Sequence, residues 1–172
     1  MEKVIHAFLA IIAGLITTGV TYAATHTFTA SIQFLETLSL NSAVNPDLGK
    51  WIPGTSGRNF ILNADSTVGG TNATDYIGGA TASTVKVVGS AVNAIDILAN
   101  NFVANGGIVI NDIPCKYEPA AATTCGGAGI SAAAAPTTAG TTLSLGVDVS
   151  TTMAHVDGDT AAPTFDIVVN YN

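Results

Sequence analysis

Two cysteines are the residues whose chemistry the sequence predicts most directly. Cys115 and Cys125 are the only thiols in the chain. Their spacing is too wide for a CxxC redox pair, and no histidine or second cysteine pair lies near them in sequence to complete a metal site. In a secreted chain, two cysteines most simply form one disulfide. We expect a bridge that closes a loop of about ten residues and contributes roughly 2–3 kcal/mol by the chain-entropy estimate.

Asp157 and Asp159, on either side of Gly158, form the one candidate metal site. Calcium takes about six to eight oxygen ligands, and paired acids on a glycine turn supply several of them. Asp148 or Asp75 could complete the set if the fold brings them close. The competing interpretation is an Asp-Gly turn, in which these residues serve backbone geometry. The segment lacks the rest of an EF-hand loop, so calcium stays a hypothesis and no other cofactor is predicted.

Trp51 and Tyr76 are the aromatic candidates for ligand binding. They lie in two turn-rich loops, residues 41–57 and 65–82. An exposed ring in such a loop can stack on a sugar, whereas a buried ring pins the loop to the core. The sequence leaves both roles open.

No set of residues predicts an enzyme. His6 lies in the apolar N-terminus, and His26 and His155 are isolated in sequence. No GxSxG motif is present, and the acidic residues do not form a defensible pair for glycoside hydrolysis. The net charge is −7, with five Lys+Arg against twelve Asp+Glu. Such a chain repels phosphate backbones and has no polybasic membrane segment, so nucleic acid is excluded as a partner.

Residues 1–23 have the pattern of a secretory signal peptide. Lys3 precedes an apolar run, residues 4–20, and small residues at 21–23 provide a cleavage site before Ala24. The alternative is an uncleaved anchor, because the run approaches the ~18 residues that span a bilayer. We expect secretion, with membrane contact only through this segment before cleavage.

Residues 24–172 have the pattern of one all-β domain. Only 10% of the chain is charged, and the apolar residues are dispersed among Thr, Ser, Asn and Gly, which is typical of short strands and tight turns. No long helical period occurs after residue 23. We expect an antiparallel β-sandwich of the immunoglobulin or pilin type, with a tight hairpin at 89–91 and little structure over 114–140. The predicted strands are residues 25–34, 36–40, 58–64, 84–88, 92–98, 107–113, 141–149 and 164–171.

Residues 25–34, at the mature N-terminus, alternate between apolar and polar side chains. Phe28, Ala30, Ile32 and Phe34 point to one face, and Thr and Ser residues with Gln33 point to the other. This strand either completes its own sheet or is donated to a neighbouring molecule.

Five segments carry a resemblance to a known family: the TASI opening strand, the Pro-Asp-Leu-Gly turn at 46–49 leading to Gly57, residues 83–98, residues 142–149 with Gly146, and the ending FDIVVNYN. In these segments the chain resembles a family of secreted bacterial proteins that is known as domain of unknown function 4402. The resemblance covers roughly residues 24–172 and implies a secreted bacterial β-sandwich without catalytic residues. The cysteine loop is a departure from the family pattern.

Two functions follow from these observations. The first is a structural protein of the bacterial cell surface, a pilus-like subunit that forms a homopolymer by donating residues 25–34. The alternative is a monomeric, adhesin-like module that recognises a glycan or surface ligand through residues 41–57 and 65–82. The oligomeric state separates the two.

Overall fold

The computed structural model describes residues 31–33, 35–41 and 43–172. Contacts divide the chain into two units, Met1–Gln33 and Phe34–Asn172. The expected signal segment, residues 1–23, lies outside the described residues. Among those that are described, no helix has the length and apolarity that crossing a bilayer requires.

The second unit is an antiparallel β-sandwich, which confirms the predicted fold class. Its described residues form fourteen strands and one 3₁₀ turn, Ala73–Asp75. The strands are β1 Ser39–Asn41, β2 Lys50–Trp51, β3 Asn59–Leu62, β4 Val68–Gly69, β5 Tyr76–Gly78, β6 Ser83–Val88, β7 Ile95–Val103, β8 Ile108–Asp112, β9 Pro114–Tyr117, β10 Thr123–Thr124, β11 Ile130–Ala133, β12 Thr141–Leu145, β13 Val147–Thr151 and β14 Thr164–Tyr171.

The strands form four sheets, and every pairing is antiparallel. A five-stranded sheet has the order β1-β6-β12-β9-β10, and a four-stranded sheet has the order β4-β3-β13-β8. A three-stranded sheet has the order β11-β7-β14, and β2 pairs with β5. Buried and more exposed side chains alternate along β6, β7 and β13, as expected for strands with one face on a core. Apolar side chains from the three larger sheets share that core.

Gly146 divides the segment that we predicted as one strand, residues 141–149. β12 lies in the five-stranded sheet, whereas β13 lies in the four-stranded sheet. A Cβ atom at Gly146 would collide with the carbonyl oxygen of Leu62, so only glycine allows this close approach. The Gly146 amide donates to the carbonyl oxygen of Pro114 at 2.7 Å. The chain therefore crosses between sheets at this residue.

The tight hairpin predicted at residues 89–91 is wrong. β6 pairs with β1 and β12, whereas β7 pairs with β11 and β14, so the turn is a corner between two sheets. The Ser90 amide donates to the hydroxyl of Tyr171 at 2.6 Å. A distant contact with the end of β14 therefore holds the corner, and the local sequence does not show it.

The prediction that residues 114–140 carry little structure is also wrong. They contain β9, β10 and β11. Cys115 and Tyr117 of β9 are buried in the core, as is Cys125, whose amide donates to the carbonyl oxygen of Ile113 at 2.8 Å. These long-range contacts give order to an Ala- and Gly-rich segment that has no clear period of its own.

Candidate functional site

β14 is an edge strand in the part of the chain that the structure describes, because it pairs with β7 alone. The Asn172 amide donates to the carbonyl oxygen of Ala94 at 3.0 Å, which places the even-numbered residues of β14 in hydrogen-bonded pairs with β7. The backbone groups of Ile167 and Val169 consequently point away from β7. This edge presents the donors and acceptors that another strand would use.

A second edge lies opposite β14, along β1 and residues 43–49. β1 pairs with β6, and the Val44 amide donates to the carbonyl oxygen of Thr84 at 3.2 Å. Asp47 and Thr81 exchange backbone hydrogen bonds of 2.9 and 2.8 Å. This segment therefore follows β6 and forms one border of the five-stranded sheet.

A groove of about 800 Å³ lies between the two edges, and we call it the strand groove. Its lining includes buried side chains from four core strands, Val85, Ile110, Leu145 and Val147. Leu40, which is 40% exposed, lies on one wall. On the other wall, Phe165 and Ile167 of β14 pack against the core but are only partly buried. The groove therefore opens onto the hydrophobic core.

Beyond one end of the strand groove, a side chain joins the chain segments that form its two walls. The Tyr171 hydroxyl donates to the carbonyl oxygen of Glu36 at 2.6 Å and accepts from the Ser90 amide at 2.6 Å. This contact joins the end of β14 to the segment that precedes β1. At the other end the groove lies between Leu48 and Pro163. Residues 40–48 on one wall and β14 on the other therefore run antiparallel to each other.

A second cavity of about 580 Å³ continues from that other end, and we call it the Trp51 pocket. Leu48 and Pro163 line both cavities, so they adjoin. The Trp51 ring lies 4.2 Å from the Phe60 ring, and its Nε1 donates to the carbonyl oxygen of Leu48 at 2.7 Å. Three exposed aliphatic side chains line the pocket, Ile52 at 48%, Ile77 at 63% and Val156 at 69% exposure.

The structure brings the two predicted ligand residues together. Trp51 of β2 pairs with Tyr76 of β5, and their ring centroids are 5.0 Å apart. The loops 41–57 and 65–82 thus meet in the two-stranded sheet. Trp51 lines the pocket that bears its name, whereas the Tyr76 hydroxyl accepts from the Ala80 amide at 2.8 Å. Tyr76 supports Trp51 and holds its own loop.

Arg58 positions the wall of the Trp51 pocket, a role that was not predicted from the sequence. Its guanidinium pairs with the Asp75 carboxylate, and both side chains are largely buried. A second guanidinium nitrogen donates to the carbonyl oxygen of Ile52 at 2.7 Å, and the group lies 5.8 Å from the Phe60 ring centre. Nothing local in the sequence marks this pairing with Asp75.

The residues of the calcium hypothesis form a hydrogen-bonded turn. Asp159 Oδ2 accepts from the Val156 amide at 2.9 Å and lies 3.5 Å from Nδ1 of His155. The two further carboxylates named for the site are engaged elsewhere. Asp148 Oδ1 accepts from the side-chain amides of Asn59 and Asn111, at 2.6 and 3.0 Å, and Asp75 pairs with Arg58.

The described residues contain no group of three or more His, Cys, Asp or Glu side chains that could hold a metal ion. Asp157 and Asp159 are therefore left without the acidic partners that the calcium hypothesis named. The Asp-Gly turn accounts for Gly158, whose φ is 89°.

The predicted disulfide is present. Cys115 and Cys125 are bonded, with their Cα atoms 5.7 Å apart, and both are fully buried. A disulfide is consistent with an extracytoplasmic protein. The bridge lies in the core near β9.

Three of the four predicted assembly residues, Phe28, Ala30 and Phe34, lie outside the described residues. The fourth, Ile32, is 78% exposed and belongs to a stretch, residues 31–33, that has no strand assignment. The role of residues 25–34 stays a prediction.

No family model matches the chain, and neither a curated protein nor a solved structure matches it.

Proposed function

We propose that this protein is a secreted structural subunit of the bacterial cell surface, and that it forms a filament by strand donation. Residues 25–34 of one copy fill the strand groove of the next. The observation that supports this proposal is the groove itself, which opens onto the core between two strand edges. An unpaired edge beside an apolar groove is the arrangement that strand addition satisfies.

The chemistry of the donated segment matches that of the groove. In an extended strand, Phe28, Ala30, Ile32 and Phe34 lie on one face, at intervals of about 6.6 Å. The groove offers apolar side chains from β6, β8, β12 and β13 to that face. The backbone groups of Ile167 and Val169 are oriented to pair with the inserted strand. The groove can therefore bury the apolar face of the segment and satisfy its backbone together.

Deleting residues 25–34 tests the proposal directly. We expect a folded chain that stays monomeric in a sizing experiment and forms no filaments in electron micrographs. Filaments of unchanged length and number after the deletion would reject the proposal.

A matched pair of substitutions tests which face of the segment makes the contact. Ile32→Asn and Ser31→Asn place the same side chain on opposite faces. Full burial of an isoleucine is worth about 1.5–3 kcal/mol, so Ile32→Asn should weaken assembly by about tenfold or more. Ser31→Asn should leave assembly close to that of the parent chain. Equal effects of the two changes would contradict the assigned face.

A second candidate function is a glycan-binding module, which the Trp51 pocket favours. Its volume of about 580 Å³ is in the range of small-molecule sites, and an indole ring lines it. Binding on a glycan array that is lost in Trp51→Ala would support this function. The control is Tyr76→Phe, which keeps the ring beside Trp51.

A further inference from the structure

We propose that the Trp51 pocket receives Phe34 of a second copy, at the point where the inserted strand leaves the strand groove. This inference rests on the proposed function and specifies its contact. It also distinguishes donation between copies from insertion of a strand into its own molecule.

The direction of the inserted strand follows from the shape of the groove. Beyond one end, the Tyr171–Glu36 hydrogen bond joins β14 to the segment before β1 and so bars the way out, whereas the other end continues into the Trp51 pocket. In a donating copy, Phe34 is joined through Leu35 to Glu36 of its own domain. That domain must lie outside the groove, so Phe34 emerges at the open end. The strand then runs antiparallel to β14.

Covalent reach excludes Phe34 of the same chain from the pocket. Phe34 precedes Glu36 by two residues, which span at most about 7 Å. β14 separates the Tyr171 end of the groove from the Thr164 end by about 23 Å, at ~3.3 Å per residue. A strand inserted into its own groove would therefore keep Phe34 near Tyr171 and would run parallel to β14.

The chemistry of the pocket suits an aromatic side chain. The Trp51 and Phe60 rings already pack at 4.2 Å, and the hydrogen bond from Trp51 Nε1 to Leu48 fixes the indole. Ile52, Ile77 and Val156 are exposed around it and can contact the donating domain. In protein interfaces, most of the binding energy comes from a few large side chains that fill well-packed, desolvated pockets.

Cysteine cross-linking between two variants of the intact chain tests the contact. One variant carries Phe34→Cys, and the other carries Val156→Cys and a tag that changes its size. The native cysteines are buried and bonded to each other, so they do not compete. After mild oxidation of the mixture, we expect a mixed dimer on a non-reducing gel. The opposite end of the groove is tested in parallel with Phe34→Cys and Leu40→Cys, once as a mixture of two single variants and once with both changes in one chain.

Each outcome of the cross-linking has a distinct meaning. A bond between copies at Leu40 instead of Val156 would overturn the pocket assignment and leave strand donation standing. A bond within one chain at Leu40, in a protein that stays monomeric, would overturn both. Absence of assembly in the parent chain would reject the proposed function before any cross-link is made.

Fluorescence provides a second measurement on the unmodified chain, because Trp51 is its only tryptophan. We expect its emission to shift to shorter wavelength as the protein assembles, since Phe34 displaces water from the pocket. Phe34→Ser should abolish the shift, and Thr29→Ser should preserve it. Assembly without any change in Trp51 emission would overturn the inference.

Discussion

The part of the sandwich around β9 and the part along β14 both alternate apolar side chains, but they are closed to different extents. β9 has β12 on one side and β10 on the other, and its Cys115 and Tyr117 are buried. β14 has only β7 as a neighbour among the described strands, and its Phe165 and Ile167 are partly exposed. The core is therefore covered by neighbouring strands around β9, whereas along β14 it is exposed in the strand groove. The opening is a local feature of one edge, which is why we assign a function to it.

Matched truncations of leucine should separate the two regions most strongly. Leu143 of β12 is fully buried, whereas Leu40 on the groove wall is 40% exposed. Leu143→Ala should lower the free energy of unfolding of the monomer by about 2–5 kcal/mol, because it leaves a cavity. Leu40→Ala should cost the monomer less than about 1 kcal/mol and act mainly on assembly. Urea unfolding of each variant, in the background that lacks residues 25–34, provides the comparison. Equal losses would mean that the two regions are equally closed.

A smaller effect is expected beyond the end of the groove, where Tyr171 joins β14 to Glu36 and Ser90. Tyr171→Phe keeps the ring but removes the hydrogen bonds to Glu36 and Ser90. Because Ser90 is buried, its unpaired amide should cost about 1–2 kcal/mol in thermal unfolding. Ser56→Ala, at an exposed position in a bend, is a control for a lost hydroxyl. No loss of stability in Tyr171→Phe would show that another contact holds this end.

The smallest effect concerns pH and the sheet that contains β14. Hydrogen bonds from the Ala132 amide and the Asn172 side chain, at 2.8 and 2.9 Å, lower the pKa of Asp96. A carboxyl whose pKa is lower in the folded state contributes stability above its unfolded pKa, which is about 3.9. That stability is lost as the pH falls through the folded pKa.

Melting temperatures of the parent chain and Asp96→Asn, measured from about pH 6 down to below the unfolded pKa of about 3.9, test this expectation. The difference between them should shrink as the pH falls. A difference that is constant across the range would contradict a contribution from the charged form of Asp96.

The elements that the sequence predicted well are those whose signal is local. The strand Thr164–Tyr171 has the predicted bounds because period-two alternation needs no partner to be recognised. The disulfide followed from residue type and compartment. The division of residues 141–149 was missed because the role of Gly146 depends on Leu62, which lies far away in sequence.

The candidate site was harder to predict than the strands for the same reason. Trp51 and Tyr76 were identified as aromatic residues in loops, but their contact depends on the pairing of β2 with β5. The apolar side chains that line the strand groove, from Leu40 to Ile167, are distant from one another in sequence. No motif marks such a surface. It becomes visible only when the order of the strands is known.

Gly146 has a mechanical consequence for the whole domain. Because β12 and β13 are one continuous stretch of chain, the five-stranded and four-stranded sheets cannot slide apart without stretching the backbone between Leu145 and Val147. A pulling force applied to either sheet is transmitted through this crossing to the other. The two sheets should therefore yield together, in a single rupture event, when the domain is stretched.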